Sequence, residues 1–353
     1  MRVLIVGAGP TGLTAGVELA RRGIHTEVID QKPGPSKLSR AVGILPSSLS
    51  VLAPSGVTKH LLEEGIKVQE VRVFSGVRRV LSLSLKGGHS DRDYFIALAQ
   101  DRTEEILRKA LIEFGGSVTY SRKLIHLDQS DERTVVGTSD GHESAYDIVI
   151  GADGIKSKTR ERLGIEYPGF DLPETWSIAD VDAHNWPNTG VFTICLLNGG
   201  CVVVVVPLEA ERFRVISNTE DALATLPLPM NVITKHREWQ FNISIRQASR
   251  YDMGRVFLAG DAAHCHSPAG GRGMNLGISD AAELASRIAT ERLNGYSASR
   301  HQAGVNTIAA SERARRVLTS TSFLTRIMTI SACHVINIAP FLQRPLARVF
   351  LDG

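Results

Sequence analysis

The chain has 353 residues, of which 43% are hydrophobic and 22% are charged, as in a soluble globular protein with a sizeable core. The formal net charge of +3 is too small to indicate a nucleic-acid-binding surface. The four cysteines show no CxxC spacing, so we expect no disulfide framework and a reducing, cytoplasmic environment.

The N-terminal segment has the pattern of a strand–helix–strand unit. The apolar run Val3–Val6 is shorter than a signal-peptide core and predicts a buried strand. Apolar residues at helical spacing follow over Thr11–Arg22, and Gly23 ends this helix. His25–Asp30 predicts the second strand. A βαβ unit of this length is typical of a nucleotide-binding half-domain.

The turn between the first strand and the helix is a GxGxxG motif, Gly7-Ala8-Gly9-Pro10-Thr11-Gly12. Glycines in this position allow a tight turn and let backbone N–H groups reach a pyrophosphate at the positive end of the helix. Asp30 closes the second strand, where an acidic side chain can accept hydrogen bonds from a ribose hydroxyl. The alternative is a tight turn without a ligand, and this unit alone does not separate FAD from NAD.

The later elements are mostly strands, followed by a helical tail. Hairpins are predicted over Ser117–Gly141, and Asn198-Gly199-Gly200 predicts a hairpin turn. The uncharged stretch Ile327–Gln343 contains Pro340 and is shorter than a spanning helix, so we expect a buried helix there and no stable membrane insertion. The other predicted strands are Val68–Leu85, Tyr94–Ala99, Tyr146–Ile150, Val191–Leu197, Cys201–Pro207, Phe213–Ser217, Trp239–Arg246 and Arg255–Ala259, and the other helices are Thr103–Phe114 and Asn275–Arg292.

Two of these strands end in turns that carry an aspartate. The first turn is Gly151-Ala152-Asp153-Gly154, and the second is Gly260-Asp261-Ala262-Ala263-His264. The second continues through Cys265–Asn275 as CHSPAGGRGMN. With the GxGxxG motif before them, these motifs resemble in order and spacing the class A (para-hydroxybenzoate hydroxylase-type) FAD-dependent aromatic hydroxylases, which are monooxygenases.

The resemblance implies a set of FAD contacts. In that family the first turn binds the ADP part of FAD, the Asp-Gly turn is shared between FAD and nicotinamide, and the Gly-Asp turn holds the ribityl chain. Met274 and Asn275 would meet the pyrimidine edge of the flavin, where a helix N-terminus stabilises the negative charge of the reduced ring. The implied cofactor-binding residues are Gly7, Gly9, Pro10, Thr11, Gly12, Asp30, Gln31, Arg40, Ala41, Gln100, Asp153, Gly260, Asp261, Pro268, Gly271, Gly273, Met274 and Asn275.

Two positions depart from the family pattern. The family more often has glutamate where Asp30 stands, and a basic residue is common where this chain has Gln31. Arg40 matches an arginine that lies along the FAD pyrophosphate, with a solvated surface arginine as the alternative. Gln100 matches a glutamine that contacts the cofactor, with a helix-capping neighbour as the alternative.

The resemblance also implies a fold and a domain organisation. We expect an α/β protein with a Rossmann-like FAD-binding domain, an inserted antiparallel-sheet substrate domain and C-terminal helices. The expected FAD-binding domain comprises residues 1–70, 98–169 and 251–292. The substrate domain comprises residues 71–97 and 170–250, and residues 293–353 form the helical segment.

The implied activity is hydroxylation of an aromatic or polycyclic small molecule with O₂ and NADPH or NADH, through a flavin C4a-hydroperoxide. Such chemistry needs no nucleophilic side chain, and no catalytic residue is named. The expected partner is a small aromatic substrate and not a nucleic acid, and the oligomeric state stays open.

Alternatives to this function belong to several classes. A flavin-dependent dehydrogenase or reductase without oxygen insertion would carry the same cofactor motifs, as would a non-catalytic flavin-binding protein. A flavin-dependent halogenase is less favoured because no WxWxIP-type signature is present. His264-Cys265-His266 lacks the helical spacing at which metal ligands converge, so we predict no metal site.

Overall fold

The computed structural model of the chain describes residues 1–36, 41–87 and 92–352. Its strands, in chain order, are β1 (Arg2–Val6), β2 (His25–Ile29), β3 (Gly43–Ile44), β4 (Ile66–Val68), β5 (Glu70–Ser75), β6 (Arg78–Ser84), β7 (Phe95–Ala97), β8 (Ser117–Thr119), β9 (Leu124–Gln129), β10 (Thr134–Thr138), β11 (Glu143–Tyr146), β12 (Ile148–Gly151), β13 (Gly169–His184), β14 (Phe192–Leu196), β15 (Val202–Pro207), β16 (Arg212–Ser217), β17 (Asn231–Gln247), β18 (Asp252–Met253), β19 (Val256–Leu258) and β20 (His264–Cys265). Its helices are α1 (Pro10–Ala20), α2 (Pro46–Leu52), α3 (Val57–Glu64), α4 (Gln100–Glu113), α5 (Lys158–Arg162), α6 (Ala222–Thr225), α7 (Gly273–Ala289), α8 (Tyr296–Leu318), α9 (Phe323–Ile338) and α10 (Gln343–Leu351).

A six-stranded sheet in the order β18-β19-β12-β1-β2-β8 forms the first layer. All its pairings are parallel except that between β18 and β19. The strands β1, β12 and β19 are almost wholly apolar and buried, as expected for parallel strands covered on both faces. Because these three strands are neighbours and parallel, the turns that follow them meet at one edge of the sheet.

The second layer is an eight-stranded sheet in the order β20-β17-β13-β16-β15-β14-β5-β6. It is antiparallel except for the pairing of β5 with β14, which is parallel. The two layers and the C-terminal helices confirm the predicted α/β fold class.

The longest strand pair was only partly predicted. β13 was not recognised as a strand, and β17 extends eight residues before the predicted Trp239. The first half of β17 is exposed, and β13 contains Pro173 and a break in its register, so neither shows a sustained alternation of apolar and polar residues. The ladder between the two strands determines their conformation.

Three other predictions need correction. β8 was expected in a hairpin, but it pairs in parallel with β2 and joins the first sheet, whereas β9, β10 and β11 form the hairpins. Helix α4 begins at Gln100 and helix α7 at Gly273, each before the predicted start, because polar or glycine residues occupy their first turns. Helix α7 also ends at Ala289, before the predicted Arg292.

The C-terminal helices pack on the second layer, but the prediction of a buried helix over Ile327–Gln343 is wrong, because no residue of α9 is buried. One face of α9 packs on β6 through Ile330, Cys333 and Ile336, and α10 buries Ala347 there. Within the described ranges no single helix is long and apolar enough to cross a membrane. The helix α9 and the segment Pro340–Leu351, which form a bent pair, reach that length and apolar composition only when they are taken together. All four cysteines are free thiols.

Candidate functional site

The glycines of the first turn are required by close backbone approach. Gly7 has a φ of +112°, and a Cβ atom there would lie 2.2 Å from the carbonyl oxygen of Ala152 in the Asp-Gly turn. A Cβ atom at Gly12 would lie 1.9 Å from the carbonyl oxygen of Gly7. The first and second turns are therefore in direct backbone contact, which only glycine permits.

Thr11 connects the first turn to the Gly-Asp turn. A Cβ atom at Gly260 would lie 2.5 Å from the Thr11 hydroxyl oxygen, and one at Gly277 would lie 2.2 Å from it. The Thr11 side chain thus occupies a slot that two glycines leave open. Pro10 stands at the first position of α1, where its missing N–H costs no helical hydrogen bond.

A buried carboxylate holds both ends of the Gly-Asp turn. Asp280 on α7 is fully buried, and its Oδ2 accepts hydrogen bonds from the Gly260 backbone N–H at 3.0 Å and from His264 Nε2 at 2.6 Å. Its Oδ1 accepts from Arg300 Nε on α8 at 2.6 Å. Three donors on one carboxylate stabilise its charge, and Asp280 keeps a lowered pKa although burial opposes ionisation. Sequence reasoning missed this residue because it lies 20 positions after Gly260.

Asp30 stands at the mouth of the first turn. Its Oδ2 accepts from the Ala8 backbone N–H and its Oδ1 from the Lys32 backbone N–H, both at 2.8 Å. These bonds orient the carboxylate and leave acceptor capacity on each oxygen. Gln31, the next predicted residue, is exposed beside it.

The Asp-Gly turn contains an acceptor without a partner among the described residues. Oδ2 of Asp153 accepts from the Thr159 backbone N–H at 3.0 Å and from its hydroxyl at 3.1 Å. Oδ1 of Asp153 is buried and has no hydrogen-bond partner in the described structure. A buried carboxylate oxygen without a hydrogen bond lowers the stability of the folded protein, and a hydrogen bond donated by a ligand would remove this penalty.

Arg160 and Tyr167 join the Asp-Gly turn to the Gly-Asp turn. The Arg160 guanidinium donates to the carbonyl oxygens of Ile155 and Ala262, each at 2.8 Å, and lies 3.7 Å from the centre of the Tyr167 ring. The Tyr167 hydroxyl donates to the carbonyl oxygen of Asp261 at 2.9 Å. Burial lowers the pKa of Arg160 and raises that of Tyr167. Neither residue was predicted, because only the folded chain brings both turns together.

Gln100 is held by Glu104, another residue that sequence reasoning missed. The Gln100 Oε1 accepts from the Ala41 backbone N–H at 3.2 Å, and its Nε2 donates to Glu104 at 2.8 Å. Glu104 is 4% exposed, and burial raises its pKa to about 7. Arg40, the other residue predicted in this segment, lies outside the described residues.

The Pro-Gly loop leads into the N-terminus of α7. Gly271 donates its N–H to the Pro268 carbonyl oxygen at 2.9 Å and has a φ of +64°, so the loop turns sharply before Gly273 and Met274. The first N–H groups of a helix have no partner inside it. They are therefore available at this edge of the site.

The Asn275 side chain is fully used inside the protein. Its Oδ1 accepts from the Leu45 N–H at 2.9 Å and the Ser48 hydroxyl at 2.8 Å, and its Nδ2 donates to the carbonyl oxygens of Gly43 and Gly271, both at 2.9 Å. Four hydrogen bonds exhaust the capacity of an amide. Any ligand contact from Asn275 must therefore come from its backbone N–H.

The site leaves room for a dinucleotide. Gly9 has φ −82° and ψ −179°, which any residue can adopt, and a Cβ atom there would meet no described residue within 4 Å. The protein alone does not require glycine at this position, whereas close approach of a ligand to the start of α1 does. With the unpaired Asp153 oxygen at the neighbouring turn, this geometry defines a dinucleotide-binding protein of the flavoprotein type.

Comparison with known proteins identifies the family. A family model described as FAD binding domain matches residues 1–223 and 215–311. Rifampicin monooxygenase of Streptomyces venezuelae is 33% identical over 325 residues, covering 85% of this chain and 68% of that protein. Pentachlorophenol 4-monooxygenase of Sphingobium chlorophenolicum is 34% identical over 319 residues, covering 81% of this chain and 58% of its own length. The chain belongs to the FAD-binding-domain family of class A monooxygenases, as the sequence motifs predicted.

Solved structures agree on the fold. The p-nitrophenol 4-monooxygenase PnpA of Pseudomonas putida DLL-E4 superposes with a TM-score of 0.87 at 21% identity, covering 99% of this chain and 98% of that one. The OxyS anhydrotetracycline hydroxylase of Streptomyces rimosus gives 0.79 at 26% identity, covering 100% and 76%. The cofactor, FAD, follows from the match to the FAD-binding family model. Among the described residues no cluster of three His, Cys, Asp or Glu side chains is arranged to hold a metal.

Proposed function

We propose that the chain is an FAD-dependent monooxygenase that hydroxylates an aromatic or polycyclic small molecule with O₂ and NAD(P)H. The observation that carries this proposal is the meeting of three dinucleotide-binding turns at one sheet edge, beside an apolar face of the second sheet. The relatives support it, since their names describe monooxygenases that act on rifampicin and pentachlorophenol. The chain spans 58–68% of the length of these two relatives.

In this proposal the predicted residues hold the two ends of FAD. The N-terminus of α1 and the open face of Gly9 bind the pyrophosphate, and the oriented carboxylate of Asp30 binds the adenosine ribose. Asp261 binds the ribityl hydroxyls, and Asp153 accepts a hydrogen bond at the Asp-Gly turn. Residues 1–70, 98–169 and 251–292 would form the FAD-binding domain, with the substrate domain formed by 71–97 and 170–250.

The flavin end of the site combines positive potential with an apolar boundary. FAD supplies the redox chemistry, by accepting a hydride from reduced nicotinamide and activating O₂. The backbone N–H groups of Met274 and Asn275 and the positive end of α7 stabilise negative charge on the ring. Val42 and Leu45 connect this edge to the apolar cluster of the second sheet, which excludes water from the reacting atoms.

A basic cleft beside the Asp-Gly turn suits the phosphates of reduced nicotinamide. It has a volume of about 500 Å³ and is lined in part by Lys156, Lys158, Arg160 and Glu161, so that basic side chains outnumber acidic ones. Lys158 is paired with Glu161 at 2.6 Å, which leaves Lys156 as the cation to test. Cationic side chains at this position favour a phosphorylated ligand. In the variant Lys156→Glu we expect a higher KM for NAD(P)H and an unchanged FAD content, and an unchanged KM would contradict this location.

The test of the function begins with the absorption spectrum of the purified protein. We expect flavin bands at roughly 370 and 450 nm that bleach on anaerobic addition of NADPH or NADH. Under ¹⁸O₂, the product from an aromatic substrate should contain one labelled oxygen atom. Bleaching without a labelled product, across a panel of phenols, would favour a dehydrogenase or reductase. A colourless protein that takes up no FAD would overturn the proposal.

We also place the enzyme in the reducing cytoplasm. The supporting observation is that Cys195, Cys201, Cys265 and Cys333 are all unpaired. Fractionation of the native host with an antibody to the chain tests this location.

A further inference from the structure

The C-terminal helix α10 is fastened to the loop that precedes α7. Arg272, the residue before Gly273, donates from Nη2 to the carbonyl oxygen of Val349 on α10 at 3.1 Å. On the inner face of α10, Ala347 and Leu351 are fully buried in the apolar cluster of the second sheet. The helix is therefore held at a fixed position beside the flavin end of the candidate site.

A row of three aromatic rings leads from α10 to β7, which pairs with β3 and β4. The rings of Phe350 on α10 and Phe192 on β14 have centroids 6.5 Å apart at an angle of 66°. The rings of Phe192 and Phe95 on β7 have centroids 5.8 Å apart at 79°. Phe95 is buried, whereas Phe192 and Phe350 are each partly exposed.

Both ends of the aromatic row are connected to the start of α7. A Cβ atom at Gly43 would lie 3.7 Å from the Phe95 ring, and the carbonyl oxygen of Gly43 accepts from Asn275. At the other end, α10 is bonded to Arg272, three residues before Asn275. The contacts thus form a closed path from the start of α7, across the aromatic row, and back to the start of α7.

We propose that α10 is a wall of the substrate site and that Phe350 and Phe192 are specificity-determining residues that select a planar aromatic ring. This inference rests on the proposed function, because it places the substrate at the flavin end of the site. Edge-to-face packing is the favoured geometry for aromatic rings, and two partly exposed rings offer such contacts to a third ring. An aliphatic substrate would lack this interaction.

The wall belongs to a part of the chain outside the family match. That match ends at residue 311, whereas α10 comprises Gln343–Leu351. The family model thus covers the cofactor turns and not α10, although the superposition with PnpA covers 99% of this chain. Substrate choice would therefore depend on α10, and FAD binding would not.

The experiment measures phenol and 2-naphthol binding to the FAD-loaded protein, through the change in flavin absorption without an electron donor. For Phe350→Ala and Phe192→Ala we expect the dissociation constant of phenol to rise about tenfold, as the loss of an aromatic contact and its buried area implies. Phe350→Trp narrows the site and should raise the dissociation constant of 2-naphthol more than that of phenol. The matched control is Arg348→Ala, which removes an exposed side chain from the same helix and should leave both constants within about twofold.

Two readouts separate this inference from the proposed function. FAD content should be unchanged in Phe350→Ala, and the rate of flavin reduction by NAD(P)H without substrate should be unchanged in the control Arg348→Ala. If the wild type binds phenol and Phe350→Ala binds it equally well, the role of α10 is overturned and the proposed function stands. If no phenol perturbs the wild-type flavin absorption and no phenol receives an oxygen atom, the role of α10 and the proposed function are both overturned.

Discussion

Gly9 and Gly12 lie three residues apart in the first turn but meet different surroundings. A Cβ atom at Gly12 would collide with the backbone of Gly7, whereas a Cβ atom at Gly9 would contact none of the described residues. The fold explains why position 12 is glycine, and the proposed cofactor explains why position 9 is glycine. Substitution at these two positions therefore separates folding from FAD binding.

The variant Gly9→Ala should fold about as stably as the wild type without FAD, because the lower entropy of the unfolded chain offsets the poorer N-cap that alanine provides. Its dissociation constant for FAD should rise about tenfold or more, since the methyl group projects towards the pyrophosphate. Titration of the FAD-free protein, monitored by flavin fluorescence, measures this change. Gly12→Ala is the contrasting variant and should lose roughly 1–3 kcal/mol of stability. Unchanged FAD affinity in Gly9→Ala would contradict the assignment.

Asp280 acts on the Gly-Asp turn from a neighbouring helix. In Asp280→Asn one acceptor oxygen is replaced by an N–H₂ donor, although three donors converge on the carboxylate. We expect the free energy of unfolding to fall by about 3 kcal/mol and FAD affinity to fall at least tenfold, because Gly260 loses its fixed position. Denaturant unfolding and FAD titration measure the two effects.

Glu283→Gln is the control for Asp280→Asn. Glu283 lies on the same helix and also meets Arg300, at 3.4 Å, but it does not contact the turn. Its replacement should leave FAD affinity unchanged. Equal loss of FAD affinity in both variants would show that Asp280 acts only through the helix.

At the scale of elements, helix α4 carries a buried titratable group. Burial raises the pKa of Glu104 from 4.5 to about 7, and a hydrogen bond from Gln100 opposes the rise. Lys32 also lowers this pKa, whereas Asp30 and Asp101 raise it. Between these two pKa values the folded protein holds a proton that the unfolded chain has lost, so stability falls as pH rises through this window.

We expect the free energy of unfolding to fall by roughly 2 kcal/mol between about pH 5 and 7 through this group. Glu104→Gln keeps the side-chain shape without the charge, so this fall should disappear. Urea unfolding at several pH values measures it. Glu113→Gln, an exposed change on the same helix, should retain the wild-type dependence. A wild-type profile that is flat over this range would contradict the buried position of Glu104.

At the scale of the whole molecule, FAD would join three segments that are distant in sequence. The turns after β1, β12 and β19 meet at one edge, so a ligand across them stabilises only the folded chain. At a free concentration one hundred times its dissociation constant, such a ligand adds about 2.7 kcal/mol of stability. Calorimetry should therefore show a Tm several degrees higher with FAD than without it. A Tm independent of FAD would exclude binding across all three turns.

The sequence by itself determined the βαβ unit, the positions of the three turns and the family. Each of these depends on a short segment, in which the strand, the glycine positions and the following helix are neighbours in the chain. Gly7 and Gly12 show this well, because the tight turn that requires glycine is a local structure. The helical tail was likewise readable from its composition.

Only the tertiary structure decided which side chains support those turns. Asp280, Arg160 and Tyr167 act through partners that other elements supply. Burial in the folded chain lowers the pKa of Arg160 and raises those of Tyr167 and Glu104. The ladder between β13 and β17 is equally non-local, so the exposed half of β17 carries no apolar pattern. Glycine spacing is a property of the local backbone, whereas burial and hydrogen-bond partners depend on elements that meet only in the folded chain.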